Sequence, residues 1–352
     1  MVPSATVQIG KSAVGDAQPV YVIAEAGVNH NGDVDTALRL IDAAVAAGAD
    51  AVKFQIFSAA RLAGPDAPPC EYQRAHGAPT SQFEMLKELE LSPDDFQKLA
   101  AHANDAGIAF LATPFSTDDL SRLRDLKPPA IKIASPDLIN FPLLDAAAQT
   151  RLPLIVSAGA ATTPEIDRAV ERIAANGAAG RLILMHCVSS YPTRPAEARL
   201  NRIAFLRQRH NVPVGFSDHT LREGVGAWAA AAGASILEKH FTLDRSAKGP
   251  DHFFSLEPPA LARYIAAAKE AAASLGRGNG DFAESESDVR RLSRVSIVAD
   301  RAIPSGATLT ADALSFRRPG EGIGPDRLDE VIGRRTNSDI PADTPLAWSM
   351  LE

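Results

Sequence analysis

An eightfold alternation of short apolar runs with helix-like segments is the feature that most restricts the fold. The apolar runs read YVIAEAG, AVKFQIF, IAFLATP, AIKIAS, PLIVSAG, RLILMHC, PVGFSDH and SILEKHF. The helices predicted after them span 34–47, 92–106, 117–125, 142–150, 163–176, 198–209, 222–232 and 258–275. Several begin at capping residues such as Ser92 and Thr162 and stop at glycines such as Gly48 and Gly107. Eight successive βα units predict a (β/α)8 TIM barrel.

An open, doubly wound α/β sheet is the structural alternative to the barrel. Such a sheet normally has a glycine-rich phosphate-binding turn after its first strand, whereas AEAGVNHNGD contains no GxGxxG pattern. The barrel is therefore favoured. Before it, VQIGKSAVGDAQP predicts a small hairpin. The second βα connection, residues 58–91, is unusually long, and long connections in compact folds are often functional.

The composition changes after Leu275, which predicts a second domain. The segment GRGNGDFAESESDVRRL is rich in glycine, then acidic, then basic, as is typical of a linker. The runs SIVA and ALSF beyond it are strand-like and lie among many glycines and prolines. We predict a barrel domain at 1–275, including the hairpin, a linker at 276–290 and a small, mainly β domain at 291–352.

Charge and cysteine content exclude several classes of partner. The formal net charge of −7 predicts no general attraction to nucleic acid or to an anionic membrane, although a local cationic pocket could still bind an anionic small molecule. Cys70 and Cys187 form no CxxC pair, which is typical of reduced thiols in the cytoplasm. No apolar run approaches the roughly 18 residues that a membrane span needs, and we see no signal-peptide pattern. We expect a cytoplasmic protein with no nucleic-acid or membrane partner.

Polar residues lie late in the predicted strands, at the end where barrel enzymes build their active sites. They are Glu25, Lys53, Gln55, Lys132, Ser135, Ser157, His186, Ser217, His219, Glu238 and His240. His219 and His240 end neighbouring strands, and two converging imidazoles suit a divalent transition metal, with Glu25 or water completing the coordination. Two hydrogen-bonding histidines without a metal remain the alternative.

Lys53 and Lys132 bring positive charge into an acidic protein. With three serines, Ser135, Ser157 and Ser217, they could bind a phosphate group, and the alternative is a buried Lys–Glu network without a ligand. The run VPVGFSDHT is not a Ser-His-Asp triad, because triad residues come from separate segments. Strand geometry places Ser217 and His219 on one face and Asp218 on the other, where it organises the loop or supports the metal ligands.

The motifs of the chain resemble a known family. VIAEAGVNHNG, GADAVKFQIF, LATPFS, KIAS, SAG, HCVSSYP, GFSDHT, LEKHFTLD and GPDHFFSL occur in this order and resemble the sialic acid synthases. The segment SIVADRAIPSGATLTADALSFRRPGEGI resembles the antifreeze-like SAF domain, a β-clip that follows the barrel in those enzymes. The resemblance implies a transferase of nonulosonic acid and polysaccharide biosynthesis. It would condense phosphoenolpyruvate with an N-acetylmannosamine-type aldehyde and release phosphate.

The resemblance also implies roles for individual residues. His219 and His240 would hold a divalent ion, with Mn²⁺ expected and Mg²⁺ or Co²⁺ as alternatives. Glu25, helped by Asp137, would be catalytic. The phosphate of phosphoenolpyruvate would contact Lys132, Ser135, Ser157 and Ser217. The sugar and the carboxylate would be positioned by Lys53, Gln55, Tyr191, Asp251 and Arg318. A domain-swapped homodimer is implied, in which Arg318 of one chain reaches the barrel of the other.

Two departures from the family pattern leave the sugar open. ASPD stands where GSGE is expected, which replaces a glutamate with the shorter Asp137, and YQRAHGAPTSQFEML lacks an expected sugar-binding asparagine. N-acetylmannosamine is the main expectation, and a 6-deoxy-diacetamido sugar of the legionaminate or pseudaminate type is the alternative. Two further alternatives are a phosphoenolpyruvate synthase acting on a phosphorylated sugar and a non-catalytic sugar- or ice-binding protein. The second would not need the lysines and histidines of the barrel.

Overall fold

The computed structural model describes residues 6–75, 81–276 and 280–352. The chain forms two compact units, Met1–Arg277 and Gly278–Glu352. No helix in the described ranges combines the length and the apolar character that a membrane span requires.

The first unit is a parallel barrel preceded by a hairpin. Strands β1 (Val7–Ile9) and β2 (Ser12–Val14) pair antiparallel. The eight parallel strands are β3 (Tyr21–Gly27), β4 (Ala51–Ile56), β5 (Ala109–Pro114), β6 (Ile131–Ile133), β7 (Leu154–Ser157), β8 (Leu182–Cys187), β9 (Val214–Asp218) and β10 (Ile236–His240). Their order is β5-β4-β3-β10-β9-β8-β7-β6, so the first and last strands of the repeat are paired. Within the described ranges no ladder joins β5 to β6. The predicted barrel is confirmed.

Helices follow the strands as the sequence predicts. The outer helices are α1 (Val34–Ala46), α5 (Pro93–Asp105), α6 (Thr117–Asp125), α7 (Phe141–Gln149), α8 (Thr163–Ala175), α9 (Asn201–His210), α10 (Val225–Ala231) and α11 (Pro258–Ser274). Local signals set their ends: Ser92 and Asp95 form a capping box at the start of α5. Gly48 and Gly107 adopt φ values of +79° and +75° after α1 and α5.

The long second connection contains three short helices. These are α2 (Ala59–Leu62), α3 (Glu71–Ala75) and α4 (Gln82–Leu89). Phe57 and Ala59 pack there with Met85, Leu86 and Leu89 in a separate apolar cluster. This packing fixes α2 and α4 beside the carboxyl ends of the strands.

The amino end of the barrel interior is apolar. Val7, Ile9 and Val14 of the hairpin pack against strand residues such as Tyr21 and Ile155 in one buried cluster. The hairpin therefore closes this end with hydrophobic side chains, and the buried polar residues collect at the carboxyl end.

The second unit is small and has its own core. Strands β11 (Ser296–Ala299) and β12 (Leu314–Arg317) pair antiparallel, and two short helices, α12 (Ser287–Ser293) and α13 (Leu328–Val331), accompany them. Ile297, Leu309 and Val331 contribute to the core. Of the predicted linker, residues 277–279 lie outside the described residues. A 3₁₀ turn at Glu284–Glu286 and the start of α12 occupy its second half.

Candidate active site

Four charged side chains from four strands meet inside the carboxyl end of the barrel. Lys53 Nζ lies 2.7 Å from Glu25 Oε2 and 3.7 Å from Glu238 Oε2, and Lys132 Nζ lies 3.7 Å from the same Glu238 oxygen. All four side chains are buried. We call this set, Glu25, Lys53, Lys132 and Glu238, the charge cluster. It contains two negative and two positive charges, so burial leaves no net charge uncompensated.

The charge cluster shifts the acidity of its members. Burial raises the pKa of Glu25, with Lys53 opposing it. Burial would also raise the pKa of Glu238, but the charges of Lys132 and Lys53 outweigh that effect and lower it. Burial lowers the pKa of Lys132. Glu25 is therefore the carboxylate in the cluster that is better suited to accept a proton.

The two predicted metal ligands lie side by side. The rings of His219 and His240 have centroids 5.5 Å apart. His219 Nδ1 lies 2.8 Å from the Val188 carbonyl oxygen, which leaves Nε2 on the side of Ser217, whose Oγ is 3.5 Å away. Ser217 and His219 therefore share a face, as the strand pattern predicts.

His240 has the properties of a metal ligand. Its Nδ1 is buried and has no hydrogen-bond partner among the described residues. Burial, with the neighbouring charges of His219 and Lys53, holds the pKa of His240 well below its usual range. A neutral imidazole with an unpaired nitrogen is the form that binds a divalent metal.

Of the two groups expected to complete the metal coordination, Glu25 or water, Glu25 already has other partners. Its carboxylate is held by Lys53, and Gln55 Nε2 donates to Oε1 at 3.2 Å. Within the described ranges, no group of three His, Cys, Asp or Glu residues is arranged to hold a metal. The residues present fit a site of two histidines in which water or substrate fills the other positions.

Asp251 borders this site. Its Oδ2 lies 3.7 Å from His240 Nδ1, and burial together with the charge of Glu25 raises the pKa of Asp251 to about 7.

The predicted phosphate serines lie at the carboxyl end of the barrel: Ser135 follows β6, Ser157 ends β7 and Ser217 lies in β9. Ser157 Oγ is buried without a hydrogen-bond partner in the described part of the chain. Ser135 Oγ accepts from the Gly159 amide at 2.9 Å, and Ser217 Oγ donates to Glu238 at 3.0 Å. A Cβ at Gly159 would lie 2.4 Å from Ser189 Oγ and 2.7 Å from Ser135 Oγ, so only glycine leaves this space open.

Sequence reasoning did not single out Gly159 or Ser189. The SAG and HCVSSYP motifs contain them and could have supplied the signal.

Aromatic rings stand beside the histidines. Tyr191 lies 4.4 Å from His219 and Phe254 lies 4.9 Å from His240, measured between ring centroids. The ring of Tyr72 on α3 lies 4.9 Å from that of Tyr191 at a tilt of 34°, and Phe253 lies 5.1 Å from Phe254. We call Tyr72, Tyr191, Phe253 and Phe254 the aromatic wall. Only Tyr191 was expected in the site.

The remaining predicted residues form no hydrogen bond or ion pair with the charge cluster in the described part of the chain. Asp137 is half-buried in the 3₁₀ turn Ser135–Ile139, where it accepts from Asn140 Nδ2 at 2.9 Å and burial raises its pKa. Arg318 is exposed and follows β12 in the second unit. His186, one of the polar strand-end residues, lies 2.7 Å through Nε2 from the Ala198 carbonyl oxygen.

The chain is similar to known proteins over most of its length. Residues 40–280 match the NeuB family and residues 294–352 match the SAF domain. The chain is 37% identical over 342 residues to the N,N'-diacetyllegionaminic acid synthase of Legionella pneumophila, covering 96% of both chains. It is 36% identical to the Campylobacter jejuni protein of the same name, over 92% of this chain and 97% of that one. The N-acetylneuraminic acid (sialic acid) synthetase from Leptospira borgpetersenii superposes with a TM-score of 0.74 at 36% identity, covering 81% of this chain and 95% of that one.

Proposed function

The chain belongs to the NeuB family and ends in a SAF domain, and from that premise we propose that it makes a nonulosonic acid by condensing phosphoenolpyruvate with an N-acetylated amino-sugar aldehyde. The observation that carries the proposal is the charge cluster beside His219 and His240 at the carboxyl end of the barrel. The names of the relatives, which are acid synthases, agree with it.

Phosphoenolpyruvate would bind through the lysines and the phosphate serines. Lys132 and the hydroxyls of Ser135, Ser157 and Ser217 would contact the phosphate, and the unpartnered Ser157 hydroxyl gains an acceptor there. Lys53 and Gln55 would orient the substrate carboxylate. The C3 carbon then attacks the aldehyde carbon, water adds at C2, and the tetrahedral intermediate releases phosphate.

Glu25 would act at C2. The positive charge that develops there is met by the carboxylate, which also takes a proton from the entering water. The raised pKa of Glu25 suits this role as a base. A divalent ion, for which we propose Mn²⁺ before Mg²⁺ or Co²⁺, would be held by His219 and His240 and would polarise the aldehyde oxygen as a Lewis acid.

For the acceptor we propose a 6-deoxy-diacetamido sugar of the legionaminate type rather than N-acetylmannosamine. Such a sugar carries a methyl group and two acetamido groups, so it presents more apolar surface than N-acetylmannosamine. The aromatic wall offers that surface a matching partner directly beside the histidines. Two of the relatives that match over nearly their whole length are named for the same product class.

Phosphate release with a panel of acceptors tests both levels of the proposal. The panel contains the legionaminate-type sugar, its pseudaminate-type isomer, N-acetylmannosamine and a phosphorylated sugar. We expect the highest kcat/KM with the legionaminate type, and Tyr72→Ala should reduce that preference. Faster turnover of N-acetylmannosamine would contradict the acceptor assignment alone. No phosphate release with any amino sugar would contradict the function.

We also propose a homodimer in which Arg318 completes the partner's active site. Arg318 is exposed, whereas its neighbour Arg317 is paired with Asp300 and Asp343. A guanidinium that forms no ion pair with the described residues is available for a carboxylate or for sugar hydroxyls.

Mixing two inactive variants tests the shared site. After subunit exchange between Arg318→Ala and Glu25→Ala chains, random pairing leaves about a quarter of the sites intact, because each heterodimer has one complete site. We expect activity near that fraction. If exchange is shown by mass and the mixture stays as inactive as its parents, the shared site is wrong.

A further inference from the structure

A buried ion pair lies on the outer face of β9 and β10, the two strands that lead to His219 and His240. Asp218 lies between Ser217 and His219, and Lys239 lies between Glu238 and His240. Because side chains alternate along a strand, both point away from the barrel interior. The ladder pairs the two residues, Lys239 Nζ lies 3.3 Å from Asp218 Oδ2, and both side chains are fully buried.

The Lys239 ammonium also binds the backbone on both sides of His219. It donates to the Asp218 carbonyl oxygen at 3.3 Å and to the Thr220 carbonyl oxygen. The Asp218 carboxylate in turn accepts from the Thr220 amide at 2.8 Å. The side chain of Lys239, the residue before His240, thus binds the backbone immediately before and after His219.

The surrounding helices close this pocket around the ammonium. The ring of Tyr264 on α11 lies 5.6 Å from Lys239 Nζ, in cation–π geometry. A Cβ at Gly226 on α10 would lie 2.3 Å from the Tyr264 ring, so glycine is needed there for the ring to reach the lysine. Burial lowers the pKa of Lys239, with Asp218 opposing it. Burying a lysine here is unfavourable for stability, because its ammonium group must be removed from water.

We propose that Lys239 is a positioning residue for the metal site: its ammonium fastens the backbone around His219 to the strand that carries His240 and so sets the spacing of the two imidazoles. The inference rests on the proposed metal-dependent function. The Lys239 side chain points away from the barrel interior, where the metal and the substrates would bind. Its effect would be felt in the affinity and geometry of the metal site.

Measuring metal binding by the purified protein distinguishes an effect of Lys239 on the metal site from an effect on the stability of the fold alone. Three variants are compared: Lys239→Met, the double variant Asp218→Asn/Lys239→Met, and the control Lys269→Met. Lys269 also binds a backbone carbonyl, Gly48 at 3.1 Å, and a carboxylate, Asp50 at 3.3 Å, but it does so at the amino ends of the strands. Co²⁺ affinity is measured by calorimetry, and the visible spectrum of the bound Co²⁺ reports its coordination.

We expect both Lys239 variants to bind Co²⁺ about 10- to 100-fold more weakly, with an altered spectrum, and Lys269→Met to match the wild type. The double variant leaves no unpaired buried carboxylate, so its thermal stability should exceed that of Lys239→Met while its metal affinity stays low. If the double variant recovers wild-type affinity and spectrum, Lys239 serves only charge balance and the inference is overturned. Absence of Co²⁺ binding by the wild type would instead remove the metal proposal, and this inference with it.

Discussion

Replacing Lys132 with methionine tests the phosphate half of the proposed site. Lys132 is buried, and its Nζ lies 3.7 Å from Glu238 Oε2 and 3.2 Å from the Ile133 carbonyl oxygen. Methionine keeps most of the side-chain volume and removes the charge. The charge cluster then carries one net negative charge where an anionic substrate must bind.

The magnitude follows from the electrostatics of a closed site. Two unit charges about 4 Å apart interact by roughly 4 kcal/mol at an effective dielectric constant near 20. Loss of one charge-assisted donor in an active site costs about 2–4 kcal/mol of transition-state stabilisation. At about 1.4 kcal/mol per tenfold, kcat/KM for phosphoenolpyruvate should fall roughly 30- to 1,000-fold.

The assay is steady-state phosphate release with phosphoenolpyruvate varied at saturating sugar and metal. Lys269→Met is the matched control, since it removes a lysine that is paired away from the site, and it should retain full activity. Lys132→Met/Glu238→Gln restores the neutrality of the cluster, so it should regain thermal stability without regaining affinity for phosphoenolpyruvate. A decrease in kcat/KM below about threefold would show that Lys132 is structural and would refute the reasoning.

Three further predictions concern the rest of the site. His219→Ala and His240→Ala should abolish turnover while the circular dichroism spectrum stays native, and chelation of the metal should abolish turnover of the wild type. Full activity after exhaustive metal removal would contradict the metal role. Gly159→Ala should raise the KM for phosphoenolpyruvate more than that for the sugar, because the added methyl group enters the space between Ser135 and Ser189; equal effects on both KM values would count against that position for the phosphate. The pKa of Asp251 is about 7 in the folded protein and near 3.8 in the unfolded chain, so between these pH values the folded protein binds a proton that the unfolded chain has released. The free energy of unfolding should therefore fall as pH rises from about 3.8 to about 7, by at most ~1.4 kcal/mol per pH unit. Asp251→Asn lacks this titration. In urea titrations of both metal-free proteins, its free energy of unfolding should therefore rise relative to that of the wild type from pH 5 to pH 7. A difference between the two proteins that does not change with pH would contradict the pKa shift.

Strand periodicity made much of the site predictable from the sequence. The alternation of side chains places Ser217 and His219 on the inner face and Asp218 on the outer face, as the structure shows. The same rule brings Lys53 and Gln55 together on Glu25. The positions of strand ends in a barrel then bring residues that are distant in sequence to one surface.

What the sequence did not predict depends on contacts across loops and on competition for partners. Tyr72 reaches Tyr191 only because α3 lies within the long second connection. The sequence pattern left Glu25 or water as the further metal ligand, and periodicity alone does not indicate that Lys53 Nζ lies 2.7 Å from the Glu25 carboxylate. Such choices among neighbours are decided by distances of a few tenths of an ångström, which no pattern of residue types specifies.

The neutrality of the charge cluster connects its structure with the proposed catalysis. Two buried lysines without Glu25 and Glu238 would be unfavourable in the free protein, so the carboxylates stabilise the empty site. The same carboxylates neutralise the lysines to which an anionic substrate would bind. The proposed substrate carries a carboxylate and a phosphate of roughly −1.5 to −2 charge. In the proposed reaction, that anion would share the lysines with the glutamates when it binds. Lys53 would then hold Glu25 less strongly, and the pKa of Glu25, already raised by burial, would rise further. Glu25 would thus be a stronger base once the substrate is in place, when the proposed mechanism takes a proton from the water that adds at C2.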